Sequence, residues 1–288
     1  MKAILKYHPC FSLEAHKSYG RIHLPVAPVC NIQCRYCVRK FDCANESRPG
    51  VTSRVLKPWE ALERLRAVAG RDERVSVVGI AGPGDPLANE ATFEFLDMAR
   101  EEFPHLILCL STNGLLLPEK VDELARLGVN TLTVTINAIS EDTAVNIYKW
   151  ALHHGKLYEE AEAGRLILRN QWDGLEAAVM AGFAVKVNTI LMPGINEDEI
   201  PAIAERAGGM GADIINVMPL IPQGDFGALT RPSIHEIART RYTCMPHINV
   251  MSHCRQCRAD ACGILGHDGD METEAVMAQV GWQYEETF

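Results

Sequence analysis

The chain has 288 residues, with 28 Lys and Arg against 37 Asp and Glu, a formal net charge of −9, and 47% hydrophobic residues. This acidic balance argues against nucleic acid as a partner, and no apolar run reaches the roughly 18 residues that a membrane span requires. Met1-Lys-Ala-Ile-Leu-Lys-Tyr-His8 has neither the apolar stretch nor the small-residue cleavage site of a secretory signal, so a cytoplasmic location is expected. Ten cysteines in a reducing compartment point to metal binding rather than disulfides.

Six short apolar runs predict buried strands: Ile22 to Ala27, Val75 to Ala81, Leu106 to Ser111, Thr131 to Ile136, Val185 to Leu191 and Ile214 to Met218. Helical segments lie between most of them. Pro58-Trp-Glu-Ala-Leu-Glu-Arg-Leu65 starts with Pro at a first helical turn, and Pro118 to Gly128 has both a Pro start and a Gly stop. Strand and helix alternate, which predicts an α/β fold with a parallel sheet. Six units rather than eight predict a partial (βα)6 barrel. Residues 152–164 read as an excursion between the fourth strand and its helix. The last 30 residues, 259–288, hold seven acids and no Lys or Arg, as a solvated end or a docking segment would.

The first strand runs into Pro28-Val-Cys-Asn-Ile-Gln-Cys-Arg-Tyr-Cys37, which places Cys30, Cys34 and Cys37 as C-x-x-x-C-x-x-C. Three thiolates hold a four-iron [4Fe–4S] cluster with one iron left open for another ligand. Zinc, which prefers C-x-x-C pairs and four ligands, and a set of buried free thiols are the alternatives. In this spacing, with Tyr36 before the third Cys, the loop resembles that of the radical S-adenosylmethionine (SAM) enzymes, where SAM chelates the fourth iron. Barrel chemistry sits at the C-terminal ends of strands. There the sequence places Gly82-Pro-Gly-Asp-Pro86, Ser111-Thr-Asn-Gly114 and Asn137, while Asn188 lies within the fifth strand. The resemblance implies that Gly82, Gly84 and Asp85 receive the SAM amino group. It implies that Ser111, Asn113, Asn137 and Asn188 meet the ribose and carboxylate. Taken alone, the first of these loops also reads as a plain turn and the second as a helix cap.

Seven cysteines remain: Cys10, Cys43, Cys109, Cys244, Cys254, Cys257 and Cys262. Two further four-iron clusters ligated only by Cys would need eight, so at least one such cluster needs a ligand of another type or is only partly held. Cys254-Arg-Gln-Cys257 is a C-x-x-C pair beside His253, a strong metal-site signal. Cys43 brings Glu46 three residues later, and His8-Pro-Cys10 is a further pair. His8, His23, His253 and Glu46 are the candidate non-Cys ligands. Cys109 alternates in register with Ser111 and points toward the barrel interior, as a ligand or as an inert thiol. Cys244 is a candidate ligand, and Cys262 is assigned no role.

These segments together resemble the NifB family, the radical SAM carbide synthases of nitrogenase cofactor assembly. The runs Cys43-Ala-Asn-Glu-Ser-Arg-Pro-Gly50 and Cys254-Arg-Gln-Cys-Arg-Ala-Asp-Ala261 carry that likeness beyond the superfamily, and matching stretches cover nearly the whole chain. Some family members carry a further C-terminal cofactor-carrier domain, and 288 residues imply the short form without it. The resemblance implies an N-terminal cluster-binding extension at 1–20, a radical SAM partial barrel at 21–232 and a C-terminal cluster-binding extension with the acidic tail at 233–288. It also implies two further [4Fe–4S]-type clusters as substrate, fused with a SAM-derived carbide and an added sulfur into an [8Fe–9S–C] precursor. An iron–sulfur cluster donor, an electron donor and a nitrogenase cofactor scaffold or carrier would be its partners. A radical SAM enzyme acting on a peptide or small molecule through an auxiliary cluster would use the same barrel. An iron–sulfur electron carrier or zinc-bound structural protein would need no SAM pocket.

Overall fold

A computed structural model describes residues 3–45 and 54–265. Glu46 and most of the acidic tail lie outside the described residues. The chain opens with a 3-10 turn at Ala3–Tyr7, the short helix α1 (Ala15–Ser18) and strand β1 (Gly20–His23). Strand β2 (Ile32–Cys34) lies inside the three-Cys loop and is followed by α2 (Pro58–Ala69), β3 (Val75–Ile80), α3 (Glu90–Glu102) and β4 (Ile107–Thr112). Then come α4 (Leu117–Arg126), β5 (Thr131–Thr135), α5 (Glu141–Ile147) and the hairpin β6 (Tyr148–His153) and β7 (Lys156–Glu159). The remaining elements are α6 (Glu160–Met180), β8 (Ala184–Leu191), α7 (Ile200–Gly209), β9 (Ile214–Pro219), α8 (Ile234–Cys244) and β10 (Cys262–Ile264).

Seven strands form one curled sheet in the order β10-β1-β3-β4-β5-β8-β9. Six of them are parallel, as the six apolar runs require, and β10 pairs antiparallel with β1 at the edge. This is the half-barrel of the α/β expectation. The first strand departs from its predicted span: regular pairing begins at Gly20 and ends at His23. Pro25 has no N–H to continue a ladder, and beyond it the regular ladder gives way to an isolated bridge between Ala27 and Pro83. The excursion at 152–164 is the β6–β7 hairpin plus the first turn of α6. That hairpin adds to β2 in a separate three-stranded antiparallel sheet.

The helices cover the convex face of the curled sheet. Leu65, Phe95, Leu96, Leu110, Leu117, Leu124, Leu132 and Leu175 all have essentially no exposure and form one continuous core. Each buried side chain of this size contributes roughly 1.5–3 kcal/mol relative to exposure. A second core beneath the three-Cys loop joins Ile32, Tyr36, Leu115, Ile147, Tyr148, Ile167 and Met192. The loop is therefore seated on packed hydrophobic side chains.

Candidate active site

The three-Cys loop is fixed from four directions. Gln33 Nε2 donates to the carbonyls of Cys34 (2.9 Å) and Cys37 (2.8 Å), which closes the turn on itself. Arg35 N donates to Ile147 O, and Asp225 N donates to Arg35 O, each at 2.8 Å. Tyr36 is fully buried; its hydroxyl donates to Asn45 Oδ1 and accepts from Asn137 Nδ2 at 2.8 Å. The aromatic residue before the third Cys thus ties the loop to β5 and to the segment carrying Cys43.

The loop after β3 is stitched against the same turn. Gly84 N donates to Ala27 O at 2.5 Å and Asp85 N to Val29 O at 2.8 Å. Asn89 donates to the carbonyls of Val29 and Asp85, both at 2.8 Å, and accepts from Val29 N at 3.1 Å. A Cβ on Gly84 would stand 2.2 Å from Val29 O, so only glycine permits the approach. The segment Gly82 to Pro86 is therefore more than a plain turn. Asp85 is buried, and its carboxylate accepts from Leu87 N (3.0 Å), Thr112 Oγ1 (2.9 Å) and Asn113 N (2.6 Å). Burial nevertheless pushes its pKa up to about 6, against the hydrogen bonds that favour the ionised form.

These segments form a pocket lined by Cys30, Cys34, Cys37, Cys43, Arg39, Gly84, Asp85 and Asn113, among others. Asn113 Nδ2 lies 3.7 Å from Cys30 Sγ, and Asn45 Nδ2 lies 3.8 Å from Cys34 Sγ. Burial pushes the Cys30 thiol up to about 12, and it raises Cys34 and Cys37 as well. Thiols this desolvated stay neutral unless a cation takes the place of their protons. Three of them converging on one cavity, with amide donors to the sulfurs, fit a site-differentiated [4Fe–4S] cluster. Cys43 joins this cavity rather than the larger one described next.

The larger cavity lies on the concave side of the half-barrel. Cys10, Cys109, Cys254, Cys257, His8 and His23 line it, although they come from four separate stretches of the chain. The alternation along strands decides which residues enter: Arg21 and His23 on β1, Cys109 and Ser111 on β4, Lys186 and Asn188 on β8, Asn216 and Met218 on β9. His8 is buried, with Nδ1 accepting from Cys10 N at 3.1 Å and Nε2 without a hydrogen-bond partner. Burial, followed by the nearby Lys186 charge, holds its imidazole neutral. Burial also raises the Cys10 thiol, while Lys186 opposes that rise. His23 Nδ1 lies 3.0 Å from Arg258 O.

Four expected site residues, Gly82, Asn137, Cys244 and His253, do not line either cavity. Asn137 has no exposure, and both ends of its amide are committed, Nδ2 to Tyr36 and Oδ1 to Ile190 N at 2.8 Å. It positions the Cys loop instead. Cys244 is packed into the main core at the end of α8, where burial raises its thiol to about 11. His253 directs Nε2 at Pro9 O, 3.0 Å away, and so ties the C-x-x-C segment to the His8-Pro-Cys10 segment. Ser111 and Asn188 open on the larger cavity, whereas Asn113 opens on the smaller one. Arg21, Lys186 and Arg39 are lining cations that the sequence reading missed.

The profile described as the Radical SAM superfamily matches residues 24–207, more than half the chain. The "FeMo cofactor biosynthesis protein NifB" of Methanocaldococcus infernus is 44% identical over 264 residues, covering 91% of this chain and 87% of that protein. The chain belongs to the NifB family of radical SAM proteins. The protein of the same description from Klebsiella pneumoniae is 47% identical over 268 residues, again 91% of this chain. The chain spans just over half, 57%, of that relative. Among solved structures, Streptococcus suis SuiB bound to S-adenosylmethionine superposes with a TM-score of 0.55 at 16% identity, covering 85% of this chain and 53% of that one. That likeness shows a shared fold. No helix among the described residues is long and apolar enough to cross a membrane.

Proposed function

We propose that this chain is the radical SAM carbide synthase of nitrogenase FeMo cofactor assembly, joining two [4Fe–4S] units, a carbon from a SAM methyl and an added sulfur into an [8Fe–9S–C] precursor. Cys30, Cys34 and Cys37 would hold the resident cluster. Gly82, Gly84, Asp85 and Asn113 would hold SAM, with Ser111 and Asn188 on the side facing the larger cavity. When bound, the cluster and SAM supply a methyl group and a hydrogen-abstracting radical. The chain's own share is to bind, orient and exclude water. Asp85 organises the Asn113 backbone, Gly84 allows the two loops to touch, and Tyr36 and Asn137 lock the cysteine turn.

The observation that carries the reading is the shortage of ligands in the larger cavity. Four thiols, from Cys10, Cys109, Cys254 and Cys257, and two imidazoles, from His8 and His23, line it. Two closed four-iron cages would need eight ligands. An incomplete set suits clusters that are substrate, held long enough to be joined and then released, and the cations Arg21 and Lys186 suit an anionic occupant. Partners would be an iron–sulfur donor, an electron donor and a cofactor scaffold or carrier.

The test uses SAM carrying a labelled methyl carbon. Under anaerobic conditions with reductant and a sulfur source, the label should enter the released cluster, and S-adenosylhomocysteine and 5′-deoxyadenosine should form together. Label confined to small-molecule by-products would end the carbide-synthase reading.

A further inference from the structure

Outside both cavities, three ligand-type side chains from two distant elements converge. Glu119 stands in the first turn of α4, and His153 and His154 form the tip of the β6–β7 hairpin. Both imidazoles direct Nε2 at the same oxygen, Glu119 Oε1, each at 3.0 Å. One ligand atom from each residue lies within 4.8 Å of the others. We propose that Glu119, His153 and His154 form a divalent transition-metal site, filled by Zn²⁺ and completed by water, that fastens the hairpin to α4.

The local structure holds the two imidazoles in place. His153 pairs with Lys156 across the hairpin, which leaves His154 and Gly155 as a two-residue loop with φ of 50° and 73°. Such loops favour Asn-Gly or Asp-Gly, because both central residues need positive φ. Histidine in the first of those positions has a less common backbone, and it carries the second imidazole to the carboxylate. The His153 side chain is only 10% exposed, so packing fixes its ring, while His154 at 67% lies open to solvent. The ring centroids are 4.1 Å apart and the planes 61° apart, which turns both edges to one point without a clash.

Zinc binds imidazole nitrogen and carboxylate oxygen at about 2.0–2.2 Å, with three protein ligands and water as a common set. Ligands around a tetrahedral ion of that size stand roughly 3.3 Å apart, close to the 3.0 Å that separates each imidazole nitrogen from Glu119 Oε1. A cation would replace two hydrogen bonds to one oxygen by three bonds to one centre.

The consequence follows from what the site joins. β6 is the pairing partner of β2, with Gln33 opposite Trp150 and Cys34 opposite Tyr148. α4 follows directly on the loop that presents Asn113 to the same cavity. An ion between the hairpin and α4 would stiffen two of the elements that hold the cysteine turn, without touching the cavity itself. The inference stands apart from the proposed reaction, since it concerns only metal affinity and local order.

The experiment uses protein reconstituted anaerobically with its iron–sulfur clusters, so that the cysteines are already occupied. Zn²⁺ is titrated by calorimetry and Co²⁺ by visible absorption, in the wild type and in Glu119→Gln, His154→Ala and His154→Asn variants. His154→Asn retains a residue suited to the left-handed turn, and Glu119 and His154 are exposed, so lost binding in these variants reports the ligand rather than the fold. The wild type should take up one equivalent. Each variant should lose more than the roughly 100-fold in affinity that is the upper end for outer-shell partners alone. Amide hydrogen exchange across residues 148–159 should slow on adding Zn²⁺ to the wild type only. Equal affinity in wild type and variants, the absence of a stoichiometric site, or exchange that Zn²⁺ leaves unchanged would each overturn the proposal.

Discussion

The two cavities are built on opposite plans. In the smaller one, Cys30, Cys34 and Cys37 come from a single turn, and neighbours on β2, β5 and the loop after β3 exist largely to hold that turn still. In the larger one, six ligand-type residues arrive from four stretches of chain, thiols are mixed with imidazoles, and two buried cations stand among them. The first plan suits a resident that never leaves, with one position kept open. The second suits an anionic guest held by the field of the site as much as by bonds. On the proposed reading, the difference separates a tool from the material it works on within one half-barrel.

The sharpest way to break this comparison is to remove the tool. Replacing Cys30, Cys34 or Cys37 by Ala should abolish 5′-deoxyadenosine production while much of the remaining iron stays bound; undiminished production in all three variants would sink the assignment. Replacing Cys254 and Cys257 together attacks the other side. That variant should still make 5′-deoxyadenosine by uncoupled cleavage, form little S-adenosylhomocysteine and yield no eight-iron product able to mature a nitrogenase. Nitrogenase maturation by the double variant would show that the larger cavity is not where the product is assembled.

The contrast also explains what the sequence made visible. The cysteine turn was legible because its three cysteines are local in sequence, and the six strands because each is a short apolar run. Arg21 and Lys186 carried a usable signal that went unread: each sits two residues from a named inward-facing residue, His23 and Asn188, and so shares its face. Arg21 fell just outside the expected first strand, and Lys186 was hidden in an otherwise apolar run. Asn137 and Cys244 lie away from the cavities for a reason the sequence does not carry. Whether a strand-end amide faces a ligand or a buried tyrosine, and whether a helical thiol faces a cavity or a core, is decided by tertiary neighbours. Glu119 and His153 are 34 positions apart, and only the hairpin's fold against α4 brings them together.

A smaller effect sharpens the role of charge in the larger cavity. Lys186 is almost fully buried on β8 and lines that cavity with His8 and Cys10. Lys186→Met keeps the length of the side chain and removes its charge. A unit charge at contact distance and an effective dielectric near 20 is worth roughly 4 kcal/mol, reduced by whatever water replaces it. Retention of the auxiliary iron should fall by about tenfold in the variant, measured by competition with a chelator, while SAM cleavage continues. Unchanged retention would mean that bonds alone hold the guest.

The last expected effect is on stability rather than chemistry and concerns Asp85, on the resident side. In the cluster-free protein its pKa is about 6, raised by burial in spite of three donors, whereas an unfolded Asp titrates near 3.9. The folded state therefore holds the proton more tightly than the unfolded state. This contribution to stability is fully present below about pH 4, is lost as pH rises toward about 6, and is flat above. A shift of this size corresponds to about 3 kcal/mol at most. Asp85→Asn cannot titrate, so its stability profile should lack this fall. Denaturant unfolding of cluster-free wild type and variant at several pH values between 4 and 7 should give curves that diverge through that window and run parallel above it. Curves parallel throughout would mean that the three hydrogen bonds offset burial completely, leaving the loop's anchor an ordinary carboxylate.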